Sequence, residues 1–286
     1  MKGASSGAPF IALASARDAM AYDGDLPLLA EAFARAGLDH EVHPWDAAVD
    51  WSRYDGVVVR STWDYTERRD EFLAWVESVP RLANPASVIR WNTDKRYLAT
   101  LGVPVVPTVW PRDGESIPQQ WSDIVVKPTV SAGGRFTGRF TSADAATEFA
   151  HQLLTAGHDV MAQQYVASVD VVGEAGVFFF GGKVSHAIRK GAILDRDAPP
   201  RSDSSLGQGQ ASEPLPLDEA PVAFARAVLD AIGQDVLYGR VDSVLDDDGN
   251  RRVLEVELVE PYLFLSLAPG AAERFVTAVI DWLGTP

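Results

Sequence analysis

The chain of 286 residues contains no cysteine. Disulfide staples, zinc–thiolate sites and cysteine nucleophiles are therefore excluded. Basic residues are scarce: 25 lysines and arginines stand against 40 acids, for a net charge of −15. Nucleic acids and anionic membranes both need a basic face, so neither is an expected partner. An anionic small ligand needs only a local basic pocket and stays admissible. No apolar run approaches the roughly 20 residues of a membrane span. The opening MKGASSGAP lacks the apolar core of a signal peptide and reads as a floppy leader. A soluble, cytoplasmic protein is the expectation. The chain also lacks a GxxxxGK[ST] phosphate loop, a G-x-S-x-G elbow, an H-E-x-x-H zinc motif and the kinase HRD and DFG set. Gly207-Gln208-Gly209-Gln210 has no third glycine and no preceding strand, so it is not a dinucleotide fingerprint.

Hydrophobic residues make up 47% of the chain, enough for a core, and the length suits two or three small lobes. Phe10–Ser15, Glu41–His43 and Gly56–Arg60 read as strands. A helix over Leu26–Ala36, ended by Gly37, separates the first two. Glu67–Val79 is an amphipathic helix, with Phe72, Trp75, Val76 and Val79 at helical spacing. The alternation predicts a small parallel α/β lobe, in which ligands sit beyond the carboxyl ends of strands. Arg60, Ser61, Trp63 and Asp64 occupy that place after the third strand and are candidate substrate contacts.

A second segment starts near Asn92, where Asn92 or Thr93 is expected to cap a helix carrying Lys95, Tyr97 and Leu98. Val103–Val109 holds two prolines and suits an irregular or edge strand. Ile124–Lys127 is a strand ended by Pro128, and it runs into the small-residue loop Ser131-Ala132-Gly133-Gly134. Such a loop lets backbone N–H groups approach phosphate oxygens, with Lys127 supplying charge. A helix over Ala143–Ala156 and a strand around Val160–Tyr165 follow. Asp195–Pro216 reads as one long mobile loop. Helices are expected over Pro221–Ile232 and Ala271–Leu283.

Two hairpins carry most of the chemistry. In the first, a turn at Gly181-Gly182 puts Val177 opposite His186 and Glu174 opposite Arg189. His186, Arg189 and Lys190 form a local basic cluster. In the second, a turn between Asp248 and Gly249 puts Asp242 opposite Glu255 and Arg240 opposite Glu257. Strand alternation gives Glu255 and Glu257 one face, with Leu254, Val256 and Leu258 on the other. Three carboxylates crowded on one patch repel and resist leaving water, and a divalent cation such as Mg²⁺ relieves both.

The order of these signals resembles the ATP-grasp family: a lysine near a helix start, a strand-lysine-proline with a glycine loop, a linker strand, a basic hairpin and an acidic one. RSTWDY, the WN-x-DK segment, SHAIRKG and the QGQ loop resemble its D-cycloserine synthetase-like members, related more distantly to RimK- and glutathione synthetase-like carboxylate–amine ligases. The resemblance runs from about Phe10 to the C-terminus. It implies α/β and α+β architecture, with a Rossmann-like domain at 8–90 in front of two lobes, 91–165 and 166–286, that clasp ATP. It assigns Lys95, Lys127 and the loop Ser131, Ala132, Gly133 and Gly134 to the phosphates. Gln163, Gln164, Tyr165 and Val166 would form the adenine hinge, and Glu174 would meet the ribose. Asp242, Glu255 and Glu257 would hold Mg²⁺, with Glu257 standing where the family usually has Asn. Arg189 and Arg240 would clamp the reacting oxyanions, and His186 and Lys190 would join the substrate contacts.

The implied activity is ATP- and Mg²⁺-dependent joining of a carboxylate and an amine through an acyl phosphate. Intramolecular ring closure on the same scaffold is the alternative, and a non-catalytic nucleotide binder is a third. The expected partners are a small-molecule carboxylate and an amine, and a homodimer is left open.

Overall fold

The computed structural model describes residues 9–200, 202 and 210–284. The N-terminal leader, Arg201 and Gly207–Gly209 fall outside them. Strand β1 (Phe10–Ser15), helix α1 (Asp25–Arg35), strands β2 (Asp39–Pro44) and β3 (Gly56–Val59), helix α2 (Arg69–Ser78) and strand β4 (Leu82–Ala83) open the chain. The strands form a parallel sheet in the order β2-β1-β3-β4. Alternation divides β1 between two cores. Ile11 and Leu13 pack with Leu29 and Phe33 of α1, whereas Ala12 and Ala14 pack with Phe72 and Val76 of α2. Both faces are covered, as a parallel sheet requires.

Helix α3 (Ala86–Asn92) leads to a 3-10 turn, Lys95–Thr100. Neither Asn92 nor Thr93 caps it: the Asp94 side chain accepts from the Arg96 N–H at 3.0 Å. Strands β5 (Thr108–Val109), β6 (Ile124–Pro128) and β7 (Gly138–Phe140), helix α4 (Ala143–Thr155) and strand β8 (Val160–Gln164) come next. They build an antiparallel sheet, β5-β8-β6-β7, whose Ile124, Val126 and Ala162 pack on Ala146, Ala150 and Leu153 of α4.

The short helix α5 (Val169–Val172) precedes the third sheet, made of β9 (Glu174–Phe180), β10 (Lys183–Lys190), β11 (Ser212–Leu215), β12 (Tyr238–Leu245) and β13 (Arg251–Glu257). Helix α6 (Glu219–Ile232) covers one face of it, and α7 (Ala271–Gly284) the other. Strand order is β11-β10-β9-β12-β13, antiparallel throughout. Strand β11 corrects the expectation of one long loop over 195–216, because Ser212–Leu215 pairs with Ala187–Lys190.

Both hairpins contain one extra residue, with opposite consequences. In the first, Lys183 opposes Phe180 as the Gly181-Gly182 turn requires, but a bulge at Ser185 shifts the rest. Val177 therefore faces Ala187, and Glu174 faces Lys190 rather than Arg189. In the second, the turn is centred on Asp248, with the Asp246 N–H bonded to the Asn250 carbonyl at 2.9 Å. A bulge at Leu254 cancels this offset, so the expected pairs Asp242–Glu255 and Arg240–Glu257 are present.

Side chains from the other layers satisfy the backbone around β13. Tyr97 Oη donates to the Val256 carbonyl at 2.8 Å and accepts its N–H at 2.7 Å. Asn92 does likewise with the Val256 carbonyl and the Leu258 N–H. Asn84, held at φ 58°, donates to the carbonyls of Tyr238 and Leu258 and accepts the Leu237 N–H at 2.7 Å. It is 2% exposed, so each bond it loses leaves a buried backbone group unpaired. Asn84→Ala is expected to cost about 3 kcal/mol or more. That is a fall of roughly 6–12 °C in a thermal melt; an unchanged midpoint would contradict this account of the junction.

Candidate active site

Many of the charged residues singled out in the sequence meet between strand β6, the 3-10 turn and the five-stranded sheet. Lys190 Nζ lies 2.9 Å from Glu174 and 2.7 Å from Asp242. Arg240 holds both oxygens of Asp242, with Nε at 2.9 Å from Oδ1, and also pairs with Glu257. Lys95 Nζ sits 3.0 Å from Glu255 and donates to the Ser131 carbonyl at 2.6 Å; Lys127 reaches Glu255 at 4.0 Å. Local structure explains each placement. Tyr97, two residues beyond Lys95, is locked to β13. Arg240 and Asp242 share a face of β12, and Gly176 of β9 makes room for them. A Cβ on Gly176 would approach Asp242 Oδ1 to 2.9 Å.

Burial alone would raise the Asp242 carboxyl, but Arg240 and Lys190 outweigh it and hold the group below its ordinary value. Glu255 is lowered in the same way, against burial, by Lys95 and Lys127. Glu257 is raised by burial and by its neighbours Glu255 and Asp242, despite Arg240. Burial lowers the Lys127 ammonium. Lys190 is raised because Asp242 and Glu174 overcome the burial that would lower it.

The expected crowding of three unrelieved carboxylates is thus corrected: the protein's own cations relieve them. Among the described residues, no three His, Asp or Glu side chains converge as a metal-ligand group. The donors remain chemically suited to Mg²⁺, which prefers carboxylate oxygen. For Asp242, Glu255 and Glu257 to serve it, their lysine and arginine partners must give way.

Other sequence candidates land differently. Arg189 is not part of this cluster; it is exposed and pairs with Glu213 of β11 at 3.1 Å, because the bulge turns Lys190 inward instead. Glu174 meets Lys190. Arg60 is 1% exposed and donates to the Pro261 carbonyl at 2.9 Å, while Nε and Nη1 have no hydrogen-bond partner. Ser61 is buried against Ser15, with their hydroxyls 2.7 Å apart. Asp64 accepts from the Trp45 indole at 2.9 Å, and burial raises its carboxyl. Trp63 donates to the Glu260 carbonyl at 3.1 Å and stacks with Tyr22, ring centres 5.7 Å apart. The glycine-loop residues Gly133 and Gly134 adopt φ 62° and 74°, a region that favours glycine. In the hinge segment, Gln163 donates to Thr108 at 3.1 Å, the Gln164 and Tyr165 N–H groups bond to the Pro107 and Asp123 carbonyls, and Val166 packs with Val106. The Arg139 guanidinium covers the Tyr165 ring at 3.4 Å.

A functional feature absent from the sequence reading is the segment 259–265, whose backbone is caught by side chains from all around it. Tyr238 Oη donates to the Val259 carbonyl, Arg60 to Pro261, Arg240 to Tyr262 and His186 to Leu263. Asp25 accepts the N–H groups of Leu263 and Leu265 at 2.6 and 2.9 Å. The dipeptide Glu260-Pro261, close behind Glu255 and Glu257, was the available signal. One surface depression of about 620 Å³ runs along α4 past Asp144 and His151, without any cluster residue.

Comparison with known proteins identifies the fold and the family. Residues 11–84 match the family model of the N-terminal domain of D-cycloserine synthetase DcsG. The chain is 40% identical to the cycloserine biosynthesis protein DcsG of Streptomyces lavendulae, over 96% of this chain and 98% of that protein. The crystal structure of D-cycloserine synthetase DcsG superposes with a TM-score of 0.84 at 37% identity, covering 96% of this chain and 99% of the other. At the level of fold, D-alanine–D-alanine ligase from Bacillus anthracis complexed with ATP gives a TM-score of 0.68 at 15% identity, covering 96% and 97%. The ATP-grasp ligase PsnB, complexed with a precursor, Mg and ADP, gives 0.59 at 17%, covering 95% and 97%.

The three-sheet architecture is that of an ATP-grasp ligase, an ATP-dependent enzyme forming carbon–nitrogen bonds. Within that class, the chain belongs to the D-cycloserine synthetase (DcsG) family. Among the described residues, no helix is long and apolar enough to cross a membrane.

His186, expected to meet substrate, is instead structural. Its Nε2–H donates to the Leu263 carbonyl at 2.8 Å, Nδ1 accepts from Ser185 at 2.9 Å, and the ring stacks on Phe178 at 4.1 Å. Burial depresses it from 6.5 to about 4, so the folded protein keeps it neutral. The unfolded chain takes up its proton first as pH falls, so stability is present above about 6.5 and is lost toward pH 4. The loss is on the order of 2–3 kcal/mol. Thermal melts at pH 7 and pH 5 are expected to differ less in His186→Gln than in the parent. An equal pH dependence in both proteins would contradict the buried neutral imidazole.

Proposed function

We propose that the protein condenses a carboxylate with an amine at the expense of ATP and Mg²⁺, through an acyl phosphate. The observation that carries this reading is the buried lattice of Lys95, Lys127, Lys190 and Arg240 against Asp242, Glu255 and Glu257. A substrate carboxylate oxygen would attack the γ-phosphorus of ATP, releasing ADP. The amine nitrogen would then attack the acyl carbon, releasing phosphate and losing a proton. Chemistry of this kind depends on positioning and charge neutralisation more than on a protein nucleophile. None is supplied by the cluster, and the chain has no cysteine.

Lys95 and Lys127 would hold phosphate oxygens, with Ser131–Gly134 closing over them and Gln163–Val166 flanking the base. Asp242, Glu255 and Glu257 would hold Mg²⁺, whose chemistry when bound is to neutralise phosphate charge. Lys190 and Arg240, freed as their carboxylates turn to the metal, are then available to the transferring phosphoryl group and the oxyanion. The segment 8–90 would supply the substrate side, and 91–165 and 166–286 the two lobes around the nucleotide.

Likeness to D-cycloserine synthetase along the whole chain favours a substrate that carries both reacting groups, so that the product is a ring. The intermolecular ligation of two small molecules is the other reading on the same site. Mass spectrometry separates them: ring closure yields the mass of one substrate less water, ligation the sum of two less water. Phosphorus NMR of the reaction is expected to show ADP and phosphate; AMP with pyrophosphate would mean adenylation and overturn the mechanism. Asp242→Asn and Glu255→Gln should each cut turnover at least ~100-fold, the scale of losing one strong electrostatic stabiliser. Arg189→Ala should stay within a few-fold of the parent. Full activity in either acidic variant would defeat the metal assignment.

A further inference from the structure

Each acid of the cluster has a cation against it except one. Glu174 and Asp242 share Lys190, Asp242 and Glu257 share Arg240, and Glu255 has Lys95 and Lys127. Among the described residues, Glu260 has no ion-pair partner; its carboxyl neighbours the hydroxyl of Tyr65, itself buried. The nearest ammonium, that of Lys95, is committed to Glu255 and to the Ser131 carbonyl. Glu260 is partly buried, and withdrawing a carboxylate from water without a counter-charge is costly, so its retention here points to a cation that arrives with a ligand.

The position of Glu260 is also unusually well defined. Its carbonyl is held by the Trp63 indole, the carbonyl of Pro261 by Arg60 and that of Tyr262 by Arg240. The carboxyl group therefore stands between the carboxyl end of the parallel sheet, where Trp63 and Tyr65 lie, and the β12–β13 cluster. Trp63 is flanked by Tyr22 and Tyr262, with ring centres 5.7 and 6.5 Å away. This aromatic group, anchored to Glu260 through the Trp63 indole, suits an organic ammonium group.

Resting on the ligase reading above, we propose that Glu260 receives the positively charged amino group of the non-nucleotide substrate. The class of ligand is a small amino-acid-derived molecule bearing a primary ammonium group. Burial, and then Glu257, push the Glu260 carboxyl up to about 8 in the ligand-free protein. A bound ammonium would remove part of that penalty, which gives the site a preference for charged amines over their neutral analogues. Asp64, the acid the sequence offered among the substrate contacts, is bonded to the Trp45 indole and lies 4.0 Å from Arg68, whereas Glu260 has no ion-pair partner among the described residues.

The test uses D-cycloserine, which carries a primary amine, and isoxazolidin-3-one, the same ring without it. Both are titrated calorimetrically into the full-length protein with saturating ADP and Mg²⁺. The parent is expected to prefer D-cycloserine by about 10-fold or more, the scale of a charge-assisted hydrogen bond. Glu260→Gln should bind both rings alike while its ADP affinity stays within about 3-fold, and Glu260→Asp should recover part of the preference. Thermal melts of both variants establish that they fold. A preference that survives in folded Glu260→Gln overturns the amine assignment and leaves the ligase reading standing. Failure of the parent to bind D-cycloserine at all overturns the ring-product reading and this assignment with it.

Discussion

Asp242 carries the charge on which the site depends. It is 1% exposed and is held from two sides, by Lys190 from β10 and by Arg240 from its own strand. Removing one partner of such a buried pair costs about 3–5 kcal/mol, because the other is left as an uncompensated charge. The neighbouring strands are shaped around this arrangement. Gly176 leaves room for the Asp242 oxygen, the Ser185 bulge turns Lys190 rather than Arg189 inward, and the Leu254 bulge keeps Glu255 opposite Asp242. The cluster holds its carboxylates and cations in mutual neutrality. Each is a group that a metal–nucleotide complex could engage by exchange of partners, without bringing a bare charge out of water.

A second constraint joins this cluster to the rest of the molecule. Strand β13 and the segment after it receive hydrogen bonds from Asn84, Asn92, Tyr97, Arg60 and His186 and donate two to Asp25, residues spread from α1 to β10. The N-terminal sheet and the five-stranded sheet further share one apolar core through α1 and α7, which includes Phe33, Phe178 and Phe275. The metal-type hairpin, the substrate-side turn 60–65 and the C-terminal helix are therefore parts of one packed unit. Its polar joints are satisfied almost entirely by side chain to backbone bonds, a pattern that makes the position of Glu260 depend on residues far away in sequence.

Much of this was legible in the sequence, for physical reasons that can be named. The parallel sheet followed from alternating strand and helix periods, and Phe72, Trp75, Val76 and Val79 do line a buried face. The acidic hairpin pairs followed from Asp248-Gly249, although only because a turn offset and a bulge cancel. The order of lysines and acids was enough for the ATP-grasp resemblance. Less was legible where a single inserted residue reverses faces: nothing in KVSHAIRK signals the bulge at Ser185, which leaves Arg189 against Glu213 and Lys190 against Asp242. Burial was the other obstacle. Asp64 and His186 look like ligand contacts by type, yet each is turned to an internal partner that only tertiary packing supplies. Glu260 was overlooked for the converse reason, because its distinction is the absence of a partner.

The central claim is that this lattice exchanges its internal ion pairs for a metal-bound nucleotide. Calorimetric titration of ADP into the protein, with Mg²⁺ and then with chelator, tests it most directly. The account predicts that the metal tightens ADP binding by at least about 10-fold, equivalent to 1.4 kcal/mol. It also predicts that Asp242→Asn abolishes most of that gain. Equal ADP affinity with and without Mg²⁺ in the parent protein would contradict it.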